Sequence, residues 1–353
     1  MSTRRGSAVA GAAVTAAAAV TAAALGIFAA PARADTERLF QFSDQRIIES
    51  SGLAASRVHE GVVYTHNDSD AGPQVYAVGS DGNTRAVLTL KDAPARDWEA
   101  IAPGPDPDGK PALYVGDIGD NITGWDTIRV MRFREPDELK DGDVDFTLFT
   151  FAYADGRSRN AEALLVHPKT GRLYVVSKES AGAGVYRAPA QLKTGSTNLL
   201  KRIADAPATV TDGSFTTDGG HAVLRGYAYA EIVDSVWHKV DTMYAPWGMQ
   251  GESVAATTDG KAMLFGSEGL GSSVYRVDLP AKIGGPEPSP TPGAKAGTKK
   301  RATASPSGSP SAKPHHDSGG THQGLPFVDG RKIAGLAALS LGALILVLFV
   351  RRG

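Results

Sequence analysis

The sequence contains the stretch Asp97-Trp98-Glu99-Ala100-Ile101-Ala102 and, shortly after it, the stretch Tyr114-Val115-Gly116-Asp117-Ile118-Gly119-Asp120-Asn121. An acidic residue opens a short apolar run, a turn follows, and a second apolar run ends in polar residues. The same pattern recurs elsewhere, closely in two segments and loosely in two others: residues 160–179 and 251–268, and residues 50–68 and 211–225. The chain therefore repeats one structural unit.

The length of this repeat predicts the fold class. From Ser51 the pattern returns at Glu99, Glu162, Asp212 and Glu252, in steps of 48, 63, 50 and 40 residues. Short strands repeated at about this period are typical of a β-propeller, whose blades bury their faces by stacking on one another. We therefore predict an all-β, five-bladed propeller over residues 35–282. An extra short blade inside the 63-residue step is the alternative, and it would make six.

The fifth blade is one strand short in this interpretation, because only three strand-like runs follow Gly251. An open ring would expose two sheet edges, and propellers avoid this by letting one terminus complete the last blade. The segment Arg38-Leu39-Phe40-Gln41-Phe42 alternates in polarity and precedes the first blade. We predict that it closes the ring.

The composition excludes several classes of function. The chain has 353 residues, a net charge of -1, 42% hydrophobic residues and 21% charged residues, as in an ordinary folded protein. Without a basic surplus, nucleic acid is not expected as a partner. The absence of cysteine excludes disulfides, thiolate metal sites and a lipid-modified N-terminal cysteine.

The N-terminus has the features of a secretory signal peptide over residues 1–34. Arg4-Arg5 precedes an apolar run over residues 8–30, and Ala32-Arg33-Ala34 matches a cleavage site. The paired arginines also suggest the twin-arginine export route, but Gly6-Ser7-Ala8 does not complete that motif. The general and twin-arginine routes both remain open.

The C-terminal region predicts a membrane anchor. Residues 283–331 are rich in Pro, Ser, Thr and Gly, as expected for a disordered linker. Residues 333–350 are an unbroken run of apolar and small residues, long enough to span a bilayer, and predict a transmembrane helix over residues 332–350. Arg351-Arg352 places the tail, residues 351–353, in the cytoplasm. A cell-wall sorting signal is the alternative, but Leu325-Pro326-Phe327-Val328-Asp329 lacks the Thr-Gly that a sortase cleaves. We predict a single-pass cell-membrane protein with an extracellular propeller.

Carboxylates mark the same end of every predicted blade. The start of an innermost strand and the end of the antiparallel second strand meet at one end of a blade, so acidic residues at these places should converge on the axis. The residues predicted to bind a ligand are Asp68, Glu99, Asp117, Glu162, Glu179, Asp212, Glu252 and Glu268. Those predicted to bind a metal are Glu99, Asp117, Glu162 and Glu252. Oxygen donors without thiols favour Ca²⁺, which is the cofactor we predict.

A purely structural interpretation of these residues stays open. Asp and Asn are common turn formers after strands, and a carboxylate at the start of a strand can accept backbone N–H bonds. His66 is the one histidine beside the acidic set. It is either a base or a structural residue at the end of a strand.

The chain also resembles a known family. Glu49-Ser50-Ser51-Gly52-Leu53-Ala54-Ala55-Ser56, Thr65-His66-Asn67-Asp68-Ser69 and Asn160-Ala161-Glu162-Ala163-Leu164-Leu165, with the two stretches quoted first, resemble secreted actinobacterial β-propellers of unassigned activity. More distantly, these chains are similar to phytase-like and lactonase-like propellers, in which channel carboxylates hold Ca²⁺. The long acidic loop and basic phosphate cluster of the phytases are missing here.

Two functions follow as hypotheses. The first is a membrane-tethered ligand- or protein-binding module, whose partner is a cell-wall polymer or another protein. The alternative is a Ca²⁺-dependent hydrolase of the phosphoesterase or lactonase type, in which the ion polarises the substrate or activates water. No nucleophile elbow, phosphate-binding glycine loop or metal-binding helix is evident in the sequence, which favours the binding module.

Overall fold

The computed structural model describes residues 36–68, 71–246 and 250–283. These residues belong to one compact unit, residues 1–290, and they form 21 strands and no helix. The predicted signal peptide, nearly all of the predicted linker, and the predicted membrane span and tail lie outside the described residues. Within the described ranges, no helix has the length and apolarity to cross a membrane.

The strands follow one another through short turns. The first eleven are β1 (Thr36–Gln41), β2 (Ser50–Ala55), β3 (Val62–Asn67), β4 (Gln74–Gly79), β5 (Thr84–Thr89), β6 (Trp98–Pro105), β7 (Pro111–Asp117), β8 (Ile128–Arg134), β9 (Gly142–Asp143), β10 (Thr147–Tyr153) and β11 (Ala161–Val166). The remaining ten are β12 (Leu173–Ser177), β13 (Gly184–Arg187), β14 (Thr197–Asp205), β15 (Asp212–Phe215), β16 (His221–Arg225), β17 (Tyr229–Asp234), β18 (Lys239–Tyr244), β19 (Ser253–Ala256), β20 (Ala262–Gly266) and β21 (Ser273–Asp278).

Twenty of these strands form antiparallel groups of four. The groups, each written from its innermost strand outward, are β2-β3-β4-β5, β6-β7-β8-β10, β11-β12-β13-β14, β15-β16-β17-β18 and β19-β20-β21-β1. The second and third groups are joined into one eight-stranded sheet by parallel pairing of β10 with β14. The described strands therefore lie in four sheets.

The innermost strands contact one another in a closed ring: β2 with β6, β6 with β11, β11 with β15, β15 with β19, and β19 with β2. A separate cluster of buried apolar side chains fills each junction between adjacent groups. In the second group, for example, Ile101 packs with Ala54 and Tyr64 of the first group. Each group therefore buries its faces against the two neighbouring groups. This packing brings together the strand ends that carry the acidic residues.

The burial pattern along each strand depends on whether the strand is innermost or outermost in its group. The inner strands β2 and β11 are buried along their whole length, which suits runs of small and apolar residues with sheets on both sides. The outer strand β10 instead alternates buried and partly exposed positions, as a half-buried strand does.

Two details of the strand pairing bear on the predictions. Strand β1 pairs antiparallel with β21, which agrees with an N-terminal strand completing the last sheet. The long 63-residue step contains the two-residue strand β9, which pairs in parallel with β5 at the edge of the first group. Neither β9 nor the parallel β10–β14 pairing was predicted, because both depend on contacts between outer edges.

Candidate functional site

The predicted acidic residues lie at the same end of the four-strand groups. Glu99 and Glu162 are the second residues of β6 and β11, and Asp212 opens β15. Asp117 ends β7, and Asp68 follows β3 directly. Antiparallel pairing places these starts and ends together, as expected.

Three of the carboxylates form a tight group, which we call the acidic triad: Asp68, Asp97 and Glu99. One carboxylate oxygen from each lies within 4.8 Å of the other two. Asp97 is 8% exposed and Glu99 is 6% exposed. Three oxygen donors at this separation can surround a single cation.

Gly119 makes room for the acidic triad. A Cβ atom at this position would lie 2.5 Å from both Asp97 Cγ and Glu99 Oε1, so no larger residue fits without displacing the carboxylates. The turn after β7 thus brings its backbone directly against the two acidic side chains. Close backbone approach of this kind is one of the structural uses of glycine.

The candidate ligands predicted from the sequence do not include Asp97, although the quoted stretch contains it. Asp97 directly precedes β6 and Glu99 is its second residue, where a register shift between Trp98 and Ala100 interrupts the pairing with β7. The repeat pattern has one carboxylate per predicted blade, and Asp97 is an additional one next to Glu99. The presence of two acidic residues on either side of Trp98 is the signal that could identify it.

Burial and mutual repulsion raise the proton affinity of these groups. Burial, followed by the charge of Asp68, raises the pKa of Asp97 to about 7. Burial, followed by the charges of Glu162 and Asp68, raises the pKa of Glu99 well above its usual range. A bound cation would remove this repulsion, and protons would compete with it.

Glu162 and Glu252 lie near the positively charged side chain of Lys178. The Nζ atom of Lys178 lies 2.5 Å from Glu162 Oε2 and 5.1 Å from the ring centre of Tyr227. Burial lowers the pKa of Lys178, but the carboxylates of Glu162 and Glu252 outweigh it, so the net shift is upward. Burial raises the pKa of Glu252, whereas Lys178 and Arg225 lower it. These two glutamates are therefore partly neutralised by the protein itself.

Glu268 lies two residues after the end of β20 and contacts Ser51 of β2. Its Oε1 atom accepts a hydrogen bond of 2.9 Å from Ser51 Oγ. Burial, followed by the charge of Glu252, raises the pKa of Glu268 to about 7. Glu268 thus combines a hydrogen-bonded position with a proton affinity near neutrality.

Asp117 occupies a different environment from the acidic triad. Its side chain is fully buried and accepts hydrogen bonds of 2.9 Å from the backbone N–H groups of Arg96 and Asp97. The guanidinium of Arg96 lies 3.0 Å away and that of Arg129 lies 3.5 Å away. Asp117 therefore holds the segment that carries Asp97, and its own charge is paired.

Asp212 and Glu179 are also engaged elsewhere. Asp212 accepts backbone hydrogen bonds of 2.7 Å from Gly213 and from Val254, which joins β15 to β19. Glu179 accepts a bond from Ser177 Oγ and lies 3.7 Å from Arg159 Nε. For these two residues the geometry matches the structural interpretation that the sequence left open.

His66 is fully buried inside this end of the ring. Its Nδ1 bonds to the carbonyl oxygen of Asn67 at 2.9 Å, and its ring packs edge-on against Trp98 at 5.8 Å. Burial lowers the pKa of His66 to about 4, although the Asn67 bond opposes the shift. A neutral, enclosed imidazole fits the structural role better than that of a base.

Comparison with known proteins adds no assignment. No protein-family model matches this chain, and no curated protein matches it.

Proposed function

We propose that the described residues form a five-bladed β-propeller that acts as a ligand-binding module with a Ca²⁺ ion at one end of its axis. The five four-strand groups, the closed ring of inner strands and the pairing of β1 with β21 support the propeller. Strand β9 adds to the edge of the first group, which supports five blades over six.

The convergence of the acidic triad is the observation that carries the cation site. Its donors are all oxygen atoms, and Gly119 leaves the space that the two buried carboxylates need. Ca²⁺ takes six to eight oxygen ligands, so three carboxylates leave positions for water or for an oxygen of a bound ligand. The ion would thus neutralise the triad and offer a point of attachment.

The proposed setting is the cell surface. The predicted signal peptide, linker and membrane span would place the propeller outside the membrane, where Ca²⁺ is abundant and a wall polymer or a protein is in reach. The likeness to phytase-like and lactonase-like propellers is compatible with this proposal and remains a prediction. The cell-surface setting is supported by the sequence patterns of the predicted signal peptide at the N-terminus and of the predicted membrane span at the C-terminus.

Calcium should raise the melting temperature of the full-length protein. At a hundredfold excess over Kd, binding stabilises the folded state by about 2.7 kcal/mol. For a domain of this size the gain corresponds to a rise of about 5–10 °C. Differential scanning calorimetry with Ca²⁺ and with a chelator measures this shift.

Matched variants make the calcium test specific. The double change Asp97→Asn and Glu99→Gln should abolish the rise while leaving the metal-free protein at least as stable, because it removes the repulsion. Asp126→Asn, at an exposed aspartate, serves as the control and should keep the full rise. If the wild-type Tm is the same in Ca²⁺ and in chelator, the cation site is wrong.

A hydrolase is the second candidate function, and the proton affinities of Asp97 and Glu268 favour it. Carboxyls with a pKa of about 7 suit general acid–base catalysis at neutral pH. If the protein is a hydrolase, model phosphoesters or lactones should be turned over only with Ca²⁺, and Glu268→Gln should reduce the rate by about 10²–10⁴-fold. Metal-independent turnover, or turnover unaffected by this change, would contradict the assignment.

A further inference from the structure

A partly exposed aromatic cluster lies where the third four-strand group meets the fourth. It consists of His167, Tyr174, Phe215 and Trp237, which line a cavity of about 310 Å³. The ring centre of Trp237 lies 5.1 Å from that of Tyr174 and 5.9 Å from that of Phe215. His167 follows β11 and Phe215 ends β15, so the cavity lies at the opposite end of these strands from Glu162 and Asp212.

Trp237 has an unusual backbone conformation. Its φ angle is 69°, in the left-handed region that bulky L residues rarely adopt. It stands in the turn between β17 and β18, where its N–H donates to the carbonyl oxygen of Asp234 at 2.9 Å. The Asp234 Oδ1 atom accepts from the N–H groups of Val236 at 3.0 Å and His238 at 2.8 Å.

The chain contains a second copy of this turn with glycine at the strained position. In the turn between β6 and β7, Gly109 N–H donates to Asp106 O at 3.0 Å. Asp106 Oδ1 accepts from Asp108 at 2.8 Å and Lys110 at 2.9 Å, and the φ angle of Gly109 is 77°. Glycine therefore satisfies the same geometry without strain. The turn itself does not require the indole at position 237.

The indole faces a cavity whose charge is positive. Arg172 and Arg187 also line it, and neither guanidinium forms an ion pair with any residue in the described ranges. Arg172 donates one long hydrogen bond of 3.4 Å, to Ala188 O. The carboxylate of Asp234 is the single acidic group among the lining residues, and one of its oxygens is held by the turn.

We propose that this cavity binds a saccharide that carries an anionic group, either a carboxylate or a phosphate. The C–H face of a sugar ring would stack on the partly exposed indole of Trp237, since aromatic faces carry partial negative charge. Arg172 and Arg187 would pair with the anionic group, for which the planar guanidinium is well suited. The strained backbone at position 237 is then retained because it holds the indole in the cavity.

Isothermal titration calorimetry on the full-length protein tests this site. The probes are trigalacturonate, its neutral methyl ester and glucose 1-phosphate. We expect at least one of the two anionic probes to bind about tenfold more tightly than the neutral ester. Comparing trigalacturonate with glucose 1-phosphate then distinguishes a uronic acid from a sugar phosphate as the ligand. Arg187→Gln should reduce this preference.

Changes at position 237 separate ligand binding from folding. Trp237→Gly restores the residue found in the sister turn, and Trp237→Asn introduces a residue that tolerates the left-handed conformation. Both should weaken binding by about tenfold or more. Their Tm should change by only a few degrees, because relief of backbone strain offsets the lost ring contacts. Val236→Ala is the control, because this side chain is 61% exposed and does not line the cavity.

Three results would overturn the proposal. One is equal binding of the anionic probes by the wild type and by both Trp237 variants. Another is the absence of binding heat with all three probes at concentrations up to about 10 mM, which corresponds to no useful affinity. A large fall in the Tm of both Trp237 variants would also count against it, since the indole would then be needed for folding alone.

Discussion

Replacing Asp117 with alanine should lower the free energy of unfolding by about 3–5 kcal/mol, because it leaves two backbone donors without their acceptor and removes the buried anion beside two partly exposed guanidinium groups. The carboxylate is fully buried, and it accepts bonds from the backbone of Arg96 and Asp97 and from two guanidinium groups. Its loss leaves these backbone donors without partners, at about 1–3 kcal/mol for each buried group. Thermal unfolding should show a fall in Tm of about 6–20 °C.

Asp117→Asn is the matched control for this prediction. It keeps the volume and one acceptor oxygen but loses the charge, so we expect a smaller fall in stability. The alanine change should also weaken Ca²⁺ binding, because Asp117 positions the backbone that carries Asp97. A fall of less than about 1 kcal/mol for Asp117→Ala would show that Arg96, which also stacks 3.8 Å from the ring centre of Trp125, holds the segment without it.

In the absence of calcium, the raised pKa values of the acidic residues should make the protein less stable as the pH rises from 5 to 8, an effect that the lowered pKa of the buried His66 offsets in part below pH 6.5. The folded-state pKa of Asp97 is raised from 3.8 to about 7, and that of Glu268 from 4.5 to about 7. Between these values the unfolded state has released its protons while the folded state retains them. Stability therefore falls with rising pH over this window and levels off above about pH 7.

The size of this effect follows from the shifts and from the coupling between the groups. One pKa unit corresponds to about 1.4 kcal/mol, and mutual repulsion within the cluster means that the shifts do not add. We expect Asp97 and Glu268 together to contribute about 2–4 kcal/mol between pH 5 and pH 8. Chemical denaturation at a series of pH values, with a chelator present, measures the slope.

The variant Asp97→Asn/Glu268→Gln should make this pH dependence shallower, because two titrating groups are removed while Glu99, Glu162 and His66 still have shifted pKa values. Calcium should reverse its direction in the wild type, since the ion competes with protons and binds more tightly as the pH rises. Parallel slopes for the wild type and the double variant would contradict the shifted proton affinities of these two residues.

Much of the fold was predictable from the sequence, because it depends on local patterns. Short apolar runs separated by turn residues predicted the strands, and the run around Arg38–Phe42 agrees with β1, Thr36–Gln41. The period of the repeat predicted that the acidic residues would share one end of the molecule. These features depend on alternation and chain order, which can be read directly from the sequence.

The roles of the individual carboxylates depend on contacts between distant segments. Asp117 and Glu162 both looked like metal ligands, yet one is held by Arg96 and Arg129 and the other by Lys178. Asp97 was overlooked, yet it lies in the acidic triad because Gly119 allows the turn after β7 to approach it. Which carboxylates lie beside cationic side chains and which lie close to other carboxylates depends on side chains brought together from different groups.

The sequence by itself determined the all-β class, the order of the repeats and the end at which the acidic residues lie, because strand periodicity and turn chemistry are local properties. The tertiary structure alone decided which three carboxylates meet, that His66 is enclosed, and that Trp237 occupies a left-handed position beside two arginines without ion pairs among the described residues. These outcomes depend on how neighbouring sheets pack, because packing sets burial and the distances between charges.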